Sequence, residues 1–341
     1  MGKLFLAYAR LFRLSGLAGL SMAPVFGALS LIDVGVKIDL LTIFLIFLIG
    51  LIKSIFGFVQ NDIFDIDVDR LSKNLDERPL VTGLISKKIA ILICILCVAS
   101  LFIITFVFFY RNNISFYFAV LCIILAAIAG SIYNIFGKRF VSSAFIAALA
   151  DALFVLVGAF LISPNGTLSI FTWVVFILVF NQFLFMTTIS GGLKDADHDY
   201  LMNVKNIATA TGIKVTGDKK LFIPLSFKAF GFGIRLFSAF IIFVPIVFYR
   251  ANYELWYILL LAILVALVLY LSAKLLNIKT LARRKGMLKI FALQGVLRYS
   301  FVPILLIPIT GVYYSFLLVV FPLIWYFVIT SISGQDIAPN L

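Results

Sequence analysis

The chain has few charged residues and few cysteines. Charged side chains make up 13% of its 341 residues, about half of the roughly 25% found in soluble domains. This scarcity excludes an ordinary water-soluble fold. The three cysteines, Cys94, Cys97 and Cys122, all lie within apolar runs. These positions support neither a disulfide framework nor a zinc site, which needs four ligands.

Apolar residues dominate what remains. They account for 63% of the chain, 37 of them are phenylalanines, and the mean hydropathy is +1.17. Windows long enough to cross a bilayer fall at about 16–36, 40–60, 88–110, 114–136, 141–162, 168–190, 229–249, 254–276, 290–311 and 314–332. The runs are continuous rather than alternating, which excludes a barrel. The sequence therefore predicts an all-α polytopic membrane protein. We expect nine helices, or ten if every window is a separate span, around a central lipid-accessible cavity.

The distribution of basic residues predicts the topology of the chain. The N-terminal segment and the long connections carry 22 Lys and Arg, whereas the opposite connections carry three. This bias places the N-terminus and the long connections, including 61–87 and 191–228, on the cytoplasmic side of a cell membrane. Residues 1–13 are amphipathic and suit an interfacial helix. No shift in composition divides the chain, so we expect one domain over 1–341.

The first of two acidic clusters follows the second apolar window. Six of the 15 acidic residues lie close together there. At 100° per residue, Asp62, Asp65 and Asp69 share one helical face, with Asn61 at its edge. Asp67 points the other way. Carboxylates repeated along one face are better suited to binding a ligand than to a solvated loop.

The second cluster follows the sixth window, on the same predicted side. Asp195 and Asp199 are four residues apart and share a helical face that also includes His198. Two such faces suit divalent cations that prefer oxygen ligands. Mg²⁺ takes one or two carboxylates per ion and is completed by water and substrate phosphates. The clusters therefore predict a site in which Mg²⁺ bridges a diphosphate between them.

The stretch 61–83 resembles a known family signature. It reads N-D-I-F-D-I-D-V-D and continues to R-P-L-V-T-G. The pattern N-D-x-x-D-x-x-x-D followed by R-P-x-x-x-G is the first signature of the UbiA superfamily of intramembrane prenyltransferases. The second signature is D-x-x-x-D trailed by a Lys and a Thr. It is matched by Asp195, Asp199, Lys205 and Thr209.

Between the two signatures, Tyr133 and Lys138 resemble the Tyr and Lys that follow the family's fourth helix. The resemblance covers roughly residues 10–220 in the family's order. Family members usually have nine helices, whereas this chain has ten windows. We therefore expect two of the last windows to form one broken element, or the C-terminal part to be an addition.

The resemblance implies Mg²⁺-dependent transfer of an isoprenyl chain from a prenyl diphosphate, such as geranylgeranyl diphosphate, to an acceptor through an allylic carbocation. The implied metal ligands are Asn61, Asp65, Asp69, Asp195 and Asp199. The implied catalytic residues are Asp65, Asp69, Asp195, Asp199 and Lys138. The implied substrate-binding residues are Asn61, Asp62, Arg78, Tyr133, Lys194, Lys205, Lys53 and Arg13. The acceptor is a hydrophobic or lipid molecule, and we expect membrane lipids but no nucleic acid as partners. An aromatic quinone precursor and geranylgeranylglyceryl phosphate both fit the first signature.

Three further charged positions have two interpretations each. Lys53 lies inside the second span. Its side chain either binds substrate or extends to the membrane interface by snorkelling. Arg13 precedes the first span, where it contacts substrate or the membrane surface. Asp151 lies in the fifth span and should face the interior, where it touches substrate or pairs with Arg235 or Arg298.

Two other functional classes compete with a prenyltransferase. A cation-coupled transporter with carboxylate ion sites would place acidic residues near the membrane midplane, often on repeated broken helices. Here the clusters lie at helix ends on one side, and no repeat is visible. A phospholipid-forming alcohol phosphotransferase would carry a D-G-x-x-A-R core, which this sequence lacks.

Overall fold

The computed structural model describes residues 2–70, 78–201, 204–216, 219–248, 253–280 and 284–333. Its helices are α1 Lys3–Leu11, α2 Leu17–Leu20, α3 Ala23–Leu29, α4 Leu40–Asp69, α5 Lys87–Phe109, α6 Ile114–Phe136, α7 Ser143–Ile162, α8 Ile170–Phe185, α9 Gly192–Lys194, α10 Ala196–Leu201, α11 Ile207–Ala210, α12 Leu225–Phe248, α13 Leu255–Leu276, α14 Arg284–Tyr299, α15 Phe301–Leu305, α16 Ile307–Thr310 and α17 Val312–Ser333. Strands β1 Lys214–Val215 and β2 Leu221–Phe222 form a short antiparallel ribbon before α12.

Within these described ranges, nine helices are long and apolar enough to cross a membrane. They confirm the predicted all-α membrane fold. The first window, 16–36, is not one of them, because it folds as α2, α3 and a 3₁₀ helix at Ser30–Val34. Pro24, which cannot donate a backbone hydrogen bond, lies in the first turn of α3. The windows after residue 229 each contain a separate candidate span, so the expectation that two of the last windows form one broken element was wrong.

Three of the long helices begin at a residue whose side chain caps the first turn. The side chains of Ser86, Asn113 and Ser169 accept hydrogen bonds from backbone N–H groups in the first turns of α5, α6 and α8. Such caps satisfy donors that have no partner within the helix. They fix the ends of the spans, since the apolar runs themselves carry no boundary signal.

The broken first segment packs closely against α7. A Cβ atom added at Gly27 would lie 1.8 Å from the Val155 carbonyl oxygen, and one added at Gly158 would lie 1.8 Å from that of Pro24. Only glycine allows this approach of the two backbones. The contact holds α3 inside the bundle, against the most buried of the candidate spans.

Candidate active site

The first acidic cluster lies on the last turns of α4. Asp62 and Asp69 are buried, Asp65 is half-buried and Asp67 is exposed. This arrangement confirms that the first three side chains share the inward face of one helix. Asn61 is half-buried at the start of the same stretch.

Two arginines from outside α4 bind the buried carboxylates of this cluster. Arg78 Nη1 lies 3.1 Å from Asp62 Oδ1 and 2.5 Å from Asp69 Oδ2. Arg13 Nη2 lies 3.2 Å from the same oxygen of Asp62. Burial raises the pKa of Asp69 above its ordinary value, while the charge of Arg78 opposes this shift. The two arginines therefore offset negative charge of the cluster. Their guanidinium groups can also donate hydrogen bonds to phosphate oxygens.

The second cluster lies beyond the end of α8. The chain continues from α8 through a π-helix at Met186–Gly191 and α9, and then into α10. The backbone N–H of Asp199 donates to the carbonyl of Asp195 at 2.8 Å. That i to i+4 bond places Asp195 and Asp199 one helical turn apart, and their common face stays a prediction. The side chain of His198 lies outside the described residues.

A continuous set of bonds connects the two clusters. Lys138 Nζ lies 2.7 Å from Asp65 Oδ1, and the Lys138 carbonyl accepts from the backbone N–H of Lys205 at 3.1 Å. The next residue, Asn206, donates from Nδ2 to Asp199 Oδ2 at 2.6 Å. Three connections of the chain therefore meet at one end of the bundle. This path links Asp65 to Asp199.

Tyr133 is half-buried near the end of α6, and the charges of Asp65, Asp195, Asp199 and Arg13 all act on its hydroxyl group. The structure thus brings together residues from the N-terminal segment, α4, α6 and the α8–α10 connection. Of the predicted residues, Lys194, half-buried, ends α9, and Lys205, exposed, lies between α10 and α11.

Lys53 lies farther inside the bundle and forms an ion pair with Asp151 of α7. Both side chains are largely buried, and Asp151 Oδ2 has no hydrogen-bond partner among the described residues. The expectation that Asp151 pairs with Arg235 or Arg298 was wrong, because both arginines pack against the Phe185 ring of α8. Substrate binding by Lys53 stays a prediction.

We expect Lys53→Met to lower the free energy of unfolding by about 3–5 kcal/mol, because it leaves the Asp151 carboxylate buried without its counter-charge. The double variant Lys53→Met/Asp151→Leu should recover most of that loss. Denaturation of the purified variants in detergent measures both. An equal loss in the single and double variants would contradict the pairing.

A small cavity of about 80 Å³ extends from this pair toward the acidic end, between α4, α5, α6 and α7. Its walls are apolar, with Phe56 and Phe154 among them. Its polar end is formed by Gln60, whose Oε1 accepts from Asn134 Nδ2 at 2.8 Å. Gln60 immediately precedes Asn61. Apolar space therefore adjoins the charged end of the bundle.

The donor set can be tested for its fit to Mg²⁺. Among the residues that the structure describes, no three Asp, Glu, His or Cys side chains lie close enough to form a complete metal cage. Mg²⁺ does not need one, since it takes one or two carboxylates and fills its shell with water and phosphate oxygens. Asp65 and Asp199 supply oxygen ligands from two sides, so the residues fit this ion.

Two site residues were missed from the sequence. Asn206 holds Asp199 and also caps α11 in a reciprocal capping box with Thr209. The N-x-x-T spacing at these positions is a cap pattern and could have indicated Asn206. Gln60 carries no such signal, because its role depends on which helix packs beside α4.

Two acidic clusters, with their cationic partners, lie at one end of a bundle of membrane-spanning helices, and an apolar cavity adjoins them. This arrangement suits a hydrophobic molecule that carries an anionic group. These features define an integral membrane enzyme. Residues 21–293 match the model of the UbiA prenyltransferase family, and the chain belongs to that family. It is a multi-pass membrane prenyltransferase.

Similar proteins support this assignment. A digeranylgeranylglyceryl phosphate synthase of Saccharolobus solfataricus is 25% identical over 299 residues, which cover 86% of this chain and 95% of that protein. The apo structure of a UbiA homologue from Aeropyrum pernix K1 has a TM-score of 0.63 at 17% identity, covering 86% and 96% of the two chains. A UbiA homologue from Archaeoglobus fulgidus bound to GPP and Mg²⁺ has a TM-score of 0.55 at 20% identity, covering 87% and 99%.

Proposed function

We propose that the chain transfers an isoprenyl group from a prenyl diphosphate to a hydrophobic acceptor, at the end of the bundle where the two acidic clusters meet. The observation that carries this proposal is the bonded path from Asp65 through Lys138 to Asp199. It supports one shared site for a single diphosphate. The A. fulgidus homologue bound to GPP and Mg²⁺ supports the same ligand pair.

Asn61, Asp65 and Asp69 would hold Mg²⁺ from α4, and Asp195 and Asp199 from the opposite side. When bound, Mg²⁺ neutralises charge that develops on the leaving diphosphate. Asp69 is engaged with Arg78, so the guanidinium must shift from carboxylate to phosphate oxygens as a ligand arrives. The predicted metal ligands remain proposals at the level of single residues.

The cationic side chains have a second role in this site. Arg13, Arg78 and Lys138 each contact a carboxylate of the first cluster. They are placed to donate charge-assisted hydrogen bonds to phosphate oxygens, and these bonds strengthen as negative charge builds up. Lys194 and Lys205 add positive charge from the second cluster. Asp62, paired with two arginines, orients those donors.

The apolar cavity provides the environment for the hydrocarbon. Breaking the allylic C–O bond leaves a carbocation that water would capture, and the aromatic and aliphatic walls exclude water. The ring faces of Tyr133 and Phe56 also offer cation–π stabilisation. Attack by an acceptor nucleophile then forms the new bond, the proton displaced from the acceptor passes to the diphosphate or to solvent, and diphosphate leaves.

The acceptor is proposed to be a glyceryl phosphate ether lipid such as geranylgeranylglyceryl phosphate, with an aromatic quinone precursor as the second candidate. The similarity to a digeranylgeranylglyceryl phosphate synthase favours the first.

The site is proposed to face the cytoplasm together with the N-terminus, because basic residues concentrate in the connections on that side. We also propose that the chain is one catalytic domain.

Mass analysis of products tests this function. Purified protein is incubated with Mg²⁺, geranylgeranyl diphosphate and, separately, geranylgeranylglyceryl phosphate or an aromatic acid. We expect a product heavier than the acceptor by one geranylgeranyl group, with diphosphate released in equal amount. Release of diphosphate without any prenylated product, across both acceptors, would contradict the proposed transfer.

A further inference from the structure

The ribbon formed by β1 and β2 is held between the ends of two membrane-spanning helices. Three residues after β2, α12 begins at Leu225. The backbone N–H of Leu221 donates to the carbonyl of Lys279 at 2.9 Å, and Lys279 follows the end of α13 by three residues. Lys220 also pairs with Thr280 in a β-bridge. Three extended residues span about 10 Å, so the ribbon lies close to the level at which both spans leave the membrane.

The ribbon has one buried face and one exposed face. Leu221 and Ile223 belong to a buried apolar cluster. Side chains alternate between the two faces of a strand, so Lys220 and Phe222 point away from that cluster. Lys214 is paired directly with Phe222 across the ribbon and therefore shares its face. All three are exposed, Phe222 by 61%. We refer to Lys214, Lys220 and Phe222 as the basic ribbon face.

The sequence around this face is strongly basic. Residues 214–228 and 274–280 contain six lysines and one acidic residue, Asp218, which lies outside the described residues. Leu225, the first residue of α12, is 81% exposed and adds apolar surface. Lysines combined with exposed Phe and Leu side chains are typical of elements that lie in the membrane–water interface. Positive charge alone would attract any anion, whereas the exposed phenylalanine at this level favours a lipid.

We propose that the basic ribbon face binds the phosphate headgroups of anionic lipids in the surrounding bilayer, with the Phe222 ring in the interfacial layer. Basic side chains close to a bilayer surface are attracted to anionic headgroups within a Debye length. The ribbon packs against α10, which carries Asp199. Bound lipid is therefore a neighbour of the second acidic cluster. This inference does not rest on the proposed function.

Lipid binding by the purified full-length protein in a neutral detergent tests the proposal. The protein is titrated with fluorescent phosphatidylglycerol and, separately, with fluorescent phosphatidylcholine. We expect phosphatidylglycerol to bind about tenfold or more tightly than phosphatidylcholine, and its binding to weaken in about 1 M salt, which screens the lysines. Inorganic phosphate at matched ionic strength should not displace the lipid.

Matched variants assign the binding to the ribbon. Lys214→Gln/Lys220→Gln should weaken phosphatidylglycerol binding about tenfold or more, because two basic side chains near the headgroups are lost. Lys87→Gln/Lys88→Gln removes two exposed lysines from the start of α5 and should bind as wild type. Lys214→Arg/Lys220→Arg keeps both charges and should also bind as wild type, which separates loss of charge from damage to the ribbon.

Four results would overturn the proposal. They are equal binding of the two lipids, displacement by inorganic phosphate, unchanged binding in Lys214→Gln/Lys220→Gln, and equal weakening in both double glutamine variants. Weak binding by the double arginine variant would likewise overturn it.

A second measurement locates Phe222 relative to the bilayer. Phe222→Trp is reconstituted in vesicles of phosphatidylcholine and phosphatidylglycerol whose chains are brominated near the headgroup, and the emission of the wild-type protein, which has three tryptophans, is subtracted. We expect the added emission to be quenched by the brominated lipid and protected from aqueous iodide. Quenching by iodide with no effect of the brominated lipid would place the ribbon in water and contradict the proposal.

Discussion

We expect Asp65→Ala and Asp199→Ala each to abolish prenyl transfer while leaving the protein folded. Loss of one preorganised electrostatic group typically costs about 10²–10³ in turnover. We expect losses at or beyond the upper end, because each carboxylate is also a proposed metal ligand. Initial rates with Mg²⁺ and geranylgeranyl diphosphate measure the effect, and size-exclusion chromatography verifies folding.

Asp67→Asn is the matched control for this prediction. Asp67 lies on the same turns of α4, but its side chain is 94% exposed and pairs with Arg70. We expect wild-type rates from this variant. Near-normal rates in both Asp65→Ala and Asp199→Ala would remove these residues from the site. A loss of activity in Asp67→Asn would show that charge at this helix end matters in general, rather than the inward face.

Removal of divalent cations weakens binding of prenyl diphosphate by about a hundredfold or more. The acidic residues of the two clusters repel an anionic ligand, and Arg13, Arg78 and Lys138 already offset part of that charge. A bound metal ion supplies several kcal/mol of charge stabilisation. Equilibrium binding in EDTA, and again after Mg²⁺ is restored, measures the change.

Asp65→Ala tests the same prediction from the protein side. With one metal ligand missing, adding Mg²⁺ should improve binding of the diphosphate much less than it does in the wild-type protein. Tight binding by the wild-type protein in EDTA would contradict a metal-bridged site. It would favour direct recognition by the arginines and Lys138.

The fold was predictable from the sequence to the extent that it depends on length and hydropathy. Continuous apolar runs can only be helices in a bilayer, and nine of the ten windows appear as long helices among the described residues. The interruption at residues 16–36 was not predictable from hydropathy, because α3 is apolar throughout. Its form depends on the close packing of Gly27 and Gly158, which is a tertiary contact.

The candidate site was predictable where it follows helical periodicity. The spacing of Asp62, Asp65 and Asp69 predicts that they share one helical face. The spacing of Asp195 and Asp199 predicts one helical turn between them, and the backbone bond between these two residues agrees with it. Partners that come from distant parts of the chain were not predictable. The pairing of Lys53 with Asp151 depends on how α4 and α7 pack together. Hydropathy does not predict which helices are in contact.

The central claim is that the two acidic clusters hold one diphosphate through metal. Anomalous diffraction from crystals grown with Mn²⁺ and a non-cleavable prenyl thiodiphosphate tests it directly. We expect Mn²⁺ peaks about 2.1 Å from carboxylate oxygens, with Asp65 and Asp199 both coordinating ions on the same diphosphate. A diphosphate bound at one cluster only, with the other cluster free of metal, would contradict it.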